Sequence, residues 1–202
     1  LVGLQLRRML RACRRPGRTC FRANRLKAGP QLFPRLRAAG WRTSSGPWCE
    51  DGFFLEDVRS DAARGQSHAH LAGEVYFQEA TSMLPVTALR HAAERLLASP
   101  GELAQGGRLQ VLDLCAAPGS KTTQLGAWLS SLGLDEPPAL VANEPDGDRF
   151  RTLRANLLRT GTVNWMLVRG DGQDVGGLAP ACFDAVLVDA PCSGEGTVRK
   201  FP

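Results

Sequence analysis

From Leu109 onward the chain alternates short apolar runs with longer amphipathic stretches. The run "RLQVLDLCA" (108–116) reads as a buried strand, followed by a Gly-containing loop and the helical stretch "SKTTQLGAWLSSLG" (120–133). "ALVAN" (139–143) predicts a second strand, and "DGDRFRTLRANLLRTG" (146–161) a helix ended by Gly161. "NWMLVRGD" (164–171) and "FDAVLVDAP" (183–191) supply a third and a fourth strand. Strands alternating with helices in this way predict a doubly wound, mostly parallel sheet. The fourth strand is expected to leave an unpaired, apolar edge.

The first half has a different texture. In residues 1–15 Leu6, Met9, Leu10 and Cys13 fall on one helical face and five arginines on the other. "RTCFRANRLKAG" (18–29) alternates like a strand, "PQLFPRLRAAGW" (30–41) reads as a short helix, and "DGFFLE" (51–56) as a strand. Residues 57–70 are polar and read as loop. "YFQEATSMLPVTALRHAAERLLAS" (76–99) has helical composition, with Pro85 marking a kink or a fresh start. A boundary is therefore expected between a small basic α+β module (1–75) and a second domain (76–202).

Charge sharpens that division. The first 49 residues carry twelve Arg and Lys and no acid, so the remaining chain is net −7 within a total of +5. Such an arm suits a polyanion, nucleic acid first. It also fits an organelle transit peptide, or a solvated face in a chain with only three lysines. No apolar run has membrane-spanning length, so a membrane role is not expected. The six cysteines lack C-x-x-C spacing and follow no His at zinc-ligand spacing, so neither a metal nor a disulfide framework is expected.

In doubly wound sheets ligands bind at the carboxyl ends of the strands. Asp113 and the small-residue loop Cys115, Ala116, Ala117, Pro118, Gly119, Ser120 and Lys121 follow the first strand. Glu144, Asp171 and Asp189 close the next three. The spacing is neither that of a P-loop nor G-x-G-x-x-G. A single acid of this kind is usually a helix cap or a solvated loop residue. Four at four successive strand ends point to a nucleoside with a cationic head, such as S-adenosylmethionine. Glu144 would take the ribose hydroxyls and Asp171 the adenine amine. Read from spacing alone, Cys192 in "DAPCSGEGTVRK" (189–200) is the first candidate nucleophile.

"LDLCAAPGSKTTQL" (112–125) together with "DAPCSGEGTVRK" resembles the Nop/Sun family of RNA cytosine-5 methyltransferases, most of all its RsmF type, which acts on ribosomal RNA. "FRANRLKAG" (21–29), "WCEDGFFLE" (48–56) and "HLAGEVYFQEATSMLPVTAL" (70–89) extend the resemblance upstream. It implies a Rossmann-like S-adenosylmethionine-dependent methyltransferase sheet, here its first four strands, and cofactor contacts from loop 115–121, Glu144, Asp171 and Asp189. It implies RNA contacts from Arg22, Asn24, Arg25 and Lys27, on rRNA or tRNA. It also gives Asp189 a catalytic role and makes Cys192 the thiol that assists product release. The attacking thiol belongs to a Thr-Cys motif on a later strand, and the sequence stops at Pro202 before any such strand. The expectation is a truncated, monomeric chain, inactive alone, in the cytoplasm or, in a eukaryote, the nucleus, nucleolus or an organelle. A DNA cytosine-5 methyltransferase using Cys192, or a non-catalytic RNA-binding fragment, are the alternatives.

Overall fold

The structure is a computed structural model that describes residues 2–13, 17–58, 64–98, 103 and 108–193. Two four-stranded sheets organise it. The first is antiparallel, in the order β2 (Trp41–Ser45), β3 (Gly52–Val58), β1 (Cys20–Ala23), β4 (Val75–Phe77). Helices α1 (Val2–Cys13), α2 (Leu32–Ala38) and α3 (His68–Leu71) accompany it. Its core is aromatic: Phe21 is fully buried, stacks on Phe53 at 5.7 Å and meets Trp41 edge-on at the same distance. On α1, Leu6 and Met9 stay half exposed.

The second sheet is parallel, in the order β7 (Trp165–Val168), β6 (Ala139–Asn143), β5 (Gln110–Asp113), β8 (Ala185–Leu187). Central strands buried on both faces need continuous apolar runs, which Val111–Leu112 and Leu140–Ala142 supply. Helices α4 (Leu84–Leu97), α5 (Ser120–Ser130), α6 (Gly147–Thr160) and α7 (Val175–Leu178) complete this half. Asp146 caps α6 by accepting from the amides of Asp148 and Arg149, and Gly161 ends it in the left-handed region. Residues 122–129 of α5 are all buried, because the helix is covered by its own sheet on one side and by the first domain on the other. Among the described residues β8 has only β5 as strand partner, and Val186 and Val188 are exposed beside it, which is the expected apolar edge.

Several boundaries differ from the sequence reading. β1 is only four residues long, because Asn24 starts a turn that accepts the amides of Lys27 and Ala28. The pattern along the chain does not mark β2, and Tyr76 and Phe77, expected to open a helix at residue 76, pair with β1 as part of β4. The following helix starts afresh at Leu84, with Pro85 in its first turn, where a missing N–H costs nothing. The first sheet therefore extends to Phe77 and the seam between the halves lies at residues 78–83.

Candidate functional site

Parallel order brings the carboxyl ends of β7, β6, β5 and β8 to one edge of the sheet. Asp113 is the last residue of β5 and is fully buried. Its Oδ2 accepts from Thr122 Oγ1 at 2.7 Å, while its buried Oδ1 has no partner. Burial pushes its pKa up to about 6, against the lowering effects of the Thr122 hydroxyl and Lys121. Glu144 follows β6 and is 1% exposed; its Oε1 accepts from the Asp146 amide at 3.1 Å and from Arg149 Nη1 at 3.3 Å. Asp189 lies two residues beyond β8, exposed, and pairs with Lys121 Nζ at 2.6 Å. Asp171 lies three residues beyond β7, where its Oδ1 accepts from the Gln173 amide and caps a short turn.

The loop between β5 and α5 packs tightly against its neighbours through small residues. Ala116 and Ala117 are small and buried, and Gly119 adopts φ +105°, where a side chain would strain and would press on Leu153 at 3.1 Å. Ala116 N donates to Asn143 O at 2.9 Å, tying the loop to the end of β6. Pro118 is exposed at the turn, Ser120 opens α5, and Lys121 points back to Asp189. Burial, and after it the neighbouring carboxylates, raise the pKa of the Cys115 thiol. Cys192 is exposed, and residues 194–200 of its motif lie outside the described residues. The described cysteines 20, 49, 115, 182 and 192 are all free thiols.

Four carboxylates against Lys121 and Arg149 leave this edge net negative, which suits a cationic ligand. One residue that sequence reasoning missed holds the edge together. Asn143 donates to Leu114 O and Gly170 O, each at 3.1 Å, and accepts from the Gly170 amide, fixing three strand ends relative to one another. Its signal is faint: an Asn closing an otherwise apolar run.

The four residues assigned to RNA contact occupy other positions. Arg22 is 2% exposed and donates to Thr123 Oγ1 of α5 at 2.8 Å. Asn24 is 1% exposed and donates to Gly73 O at 2.8 Å and Thr160 O at 2.7 Å. Lys27 Nζ donates to Arg159 O at 2.8 Å, a cation at the carboxyl end of α6. Arg25 is forked on Asp51 and paired with Glu50. Three of the four thus bridge the two halves: Arg22 and Asn24 are buried at the junction, Arg22 with its Nε unpartnered, while Lys27 is exposed. Among the described residues no group of His, Cys, Asp and Glu could hold a metal ion, and no helix is long and apolar enough to cross a membrane.

Known proteins share this arrangement. Residues 1–80 match the model of the N-terminal domain of 16S rRNA methyltransferase RsmF, and residues 102–202 that of 16S rRNA methyltransferase RsmB/F. Ribosomal RNA small subunit methyltransferase F of Pectobacterium carotovorum is 43% identical over 202 residues, 99% of this chain and 38% of its own length. Its namesake in Escherichia coli O157:H7 is 45% identical over 196 residues, 96% of this chain and 37% of the relative. The chain thus spans under two-fifths of the curated relatives it matches. Among solved structures, a methyltransferase homologue from Pyrococcus horikoshii superposes with TM-score 0.72 at 33% identity, covering 93% of this chain and 55% of its own. NSun6 from the same organism, solved with SFG, shares the fold at TM-score 0.68 and 17% identity, covering 91% of this chain and 65% of that one. With both halves matched in order, the chain belongs to the RsmB/F family of 16S rRNA methyltransferases.

Proposed function

We propose that the chain carries the cofactor half of an S-adenosylmethionine-dependent RNA cytosine-5 methyltransferase acting on ribosomal RNA, as a cytoplasmic monomer. The observation that carries this reading is that Asp113, Glu144, Asp171 and Asp189 lie at or just beyond the carboxyl ends of the four parallel strands, on the edge from which loop 115–121 leaves β5. The fit is chemical. The buried Asp113 Oδ1 lacks a partner, and Glu144 directly follows a strand, where a carboxylate accepts ribose hydroxyls. When bound, S-adenosylmethionine supplies an electrophilic methyl group on a sulfonium.

Carbon 5 of cytosine is a poor nucleophile. A thiolate adding at carbon 6 forms a C–S bond and pushes the ring double-bond pair onto carbon 5, which then takes the methyl group. Removal of the carbon-5 proton and cleavage of the C–S bond restore the ring. By family resemblance the attacking thiol comes from a Thr-Cys motif on a later strand of the catalytic sheet, and Cys192 assists the release step; the Thr19-Cys20 pair does not fill that place, since Cys20 is buried on β1 of the first sheet. Asp189 faces the exocyclic amine and ring nitrogen, its carboxylate oriented by Lys121.

The experiment is nucleoside analysis. The chain is joined to the C-terminal segment of its Escherichia coli relative and given methyl-labelled S-adenosylmethionine and small-subunit rRNA. Label in 5-methylcytidine, absent with the 202-residue chain alone, is the expected result. Label in any other nucleoside refutes the cytosine-5 assignment.

A further inference from the structure

We infer that Asn156, with Arg159 and Tyr76, is a positioning residue for the cofactor loop, through which the first domain sets the shape of the cofactor pocket. This rests on the reading of loop 115–121 given above. Two carbonyls of that loop are held from behind. Ala117 O accepts from Arg149 Nη2 at 2.9 Å, and Pro118 O from Asn156 Nδ2 at 2.8 Å and from Tyr76 Oη at 3.4 Å. Tyr76 lies on β4, in the first domain, and is 5% exposed.

The orientation of the Asn156 amide is dictated by its other neighbour. Arg159 donates to Asn156 Oδ1 from Nη2 at 3.0 Å and from Nε at 3.3 Å. A guanidinium only donates, so the oxygen must face it and the NH₂ is left for Pro118. Arg159 is in turn anchored in the first domain: Nη1 donates to His70 O at 2.6 Å and to Val75 O at 3.4 Å, and its guanidinium lies over the Tyr76 ring at 5.4 Å. Gly73 seals the junction, since a Cβ there would lie 1.9 Å from Arg159 O. A continuous path of donors and acceptors thus runs from β4 through α6 to the loop that holds the cofactor.

The loop end of this path is at the surface and its anchor is in the domain junction. Cutting the loop end should change the pocket without loosening the fold. Asn156→Asp makes that cut: it keeps, as a charged pair, the contact with Arg159, but turns an acceptor toward the Pro118 carbonyl. The probe is S-adenosylhomocysteine, titrated calorimetrically into the 202-residue chain, with thermal melting and hydrogen exchange on the same samples. The variant is expected to bind about five- to tenfold more weakly, the loss of one hydrogen bond. Amides of residues 117 and 119–121 should exchange faster while those of 139–143 do not change, with the melting temperature held within about 2 °C. Tyr76→Phe should show the same pattern at about twofold. Unchanged affinity and loop exchange, or affinity and melting temperature falling together in Asn156→Asp, overturns the inference. An unmodified chain that takes no S-adenosylhomocysteine sinks the reading of the site instead, and loop exchange then decides the clasp by itself.

Discussion

Asp113→Asn should make the protein more stable at neutral pH, and by an amount that depends on pH. Asp113 is a fully buried acid whose folded-state pKa is raised from 3.8 to about 6, chiefly by burial. A group raised in this way contributes stability that is complete below about pH 4 and is lost as the pH climbs through about 6. The shift corresponds to about 3 kcal/mol between those limits. Asparagine keeps an acceptor for the Thr122 hydroxyl but places an NH₂ where Oδ1 has no partner, at a cost of about 1 kcal/mol. The variant should therefore gain about 2 kcal/mol above about pH 6.5, or roughly 4–8 °C in melting temperature for a domain of this size. Near pH 4, where little of the burial penalty remains, the cost of the unpartnered NH₂ dominates, and the variant should be up to about 1 kcal/mol less stable. Urea denaturation of both proteins in half-unit steps from about pH 4 to 7 reads the difference directly, since the other carboxylates contribute equally to each. A stability difference that stays flat across that range refutes the burial argument. The same variant should bind S-adenosylhomocysteine more weakly, the usual exchange of stability for function at a strained site.

Asn24→Ala removes two hydrogen bonds to Gly73 O and Thr160 O across the domain junction and should cost about 2–4 kcal/mol in urea denaturation; a cost below about 0.5 kcal/mol would show that the junction does not depend on it. RNA binding should follow the exposed arginines of α1 instead. Replacing Arg7, Arg8 and Arg11 with Gln should lower the slope of log affinity against log salt by about 0.7 for each phosphate that these side chains neutralise. Arg25→Gln should leave that slope unchanged, because Arg25 already serves Asp51 and Glu50; the reverse ranking would return RNA binding to the basic strand.

The parallel half is legible in the sequence because its signals are local. Apolar runs of four or five residues alternate with a helix whose start and stop, Asp146 and Gly161, are written in its caps. The acids are legible for a topological reason: strand ends of a parallel sheet share an edge. What depends on tertiary pairing is not. Val75–Phe77 runs without punctuation into helical composition, and only its pairing with β1 makes it a strand. Trp41–Ser45 is polar on one side and three residues of it are exposed, so nothing apolar marks it. Asn156 and Arg159 look like the solvated face of α6, since a helical period does not say which polar face meets another domain. The contact of Arg22 with Thr123 is equally illegible, because basic patterning does not tell a cation on the surface from one docked on another element.

The chemical account turns on Cys192, and trapping the RNA adduct tests it most directly. In the chain extended by the relative's C-terminal segment, Cys192→Ala should still add a thiol to carbon 6, because another cysteine attacks. Release should fail, so an RNA–protein species should accumulate and survive denaturing gel electrophoresis. Replacing the cysteine of the restored Thr-Cys motif should abolish both the adduct and methyl transfer. No adduct with Cys192→Ala, while the Thr-Cys variant still forms one, would make Cys192 the nucleophile and contradict the roles assigned here.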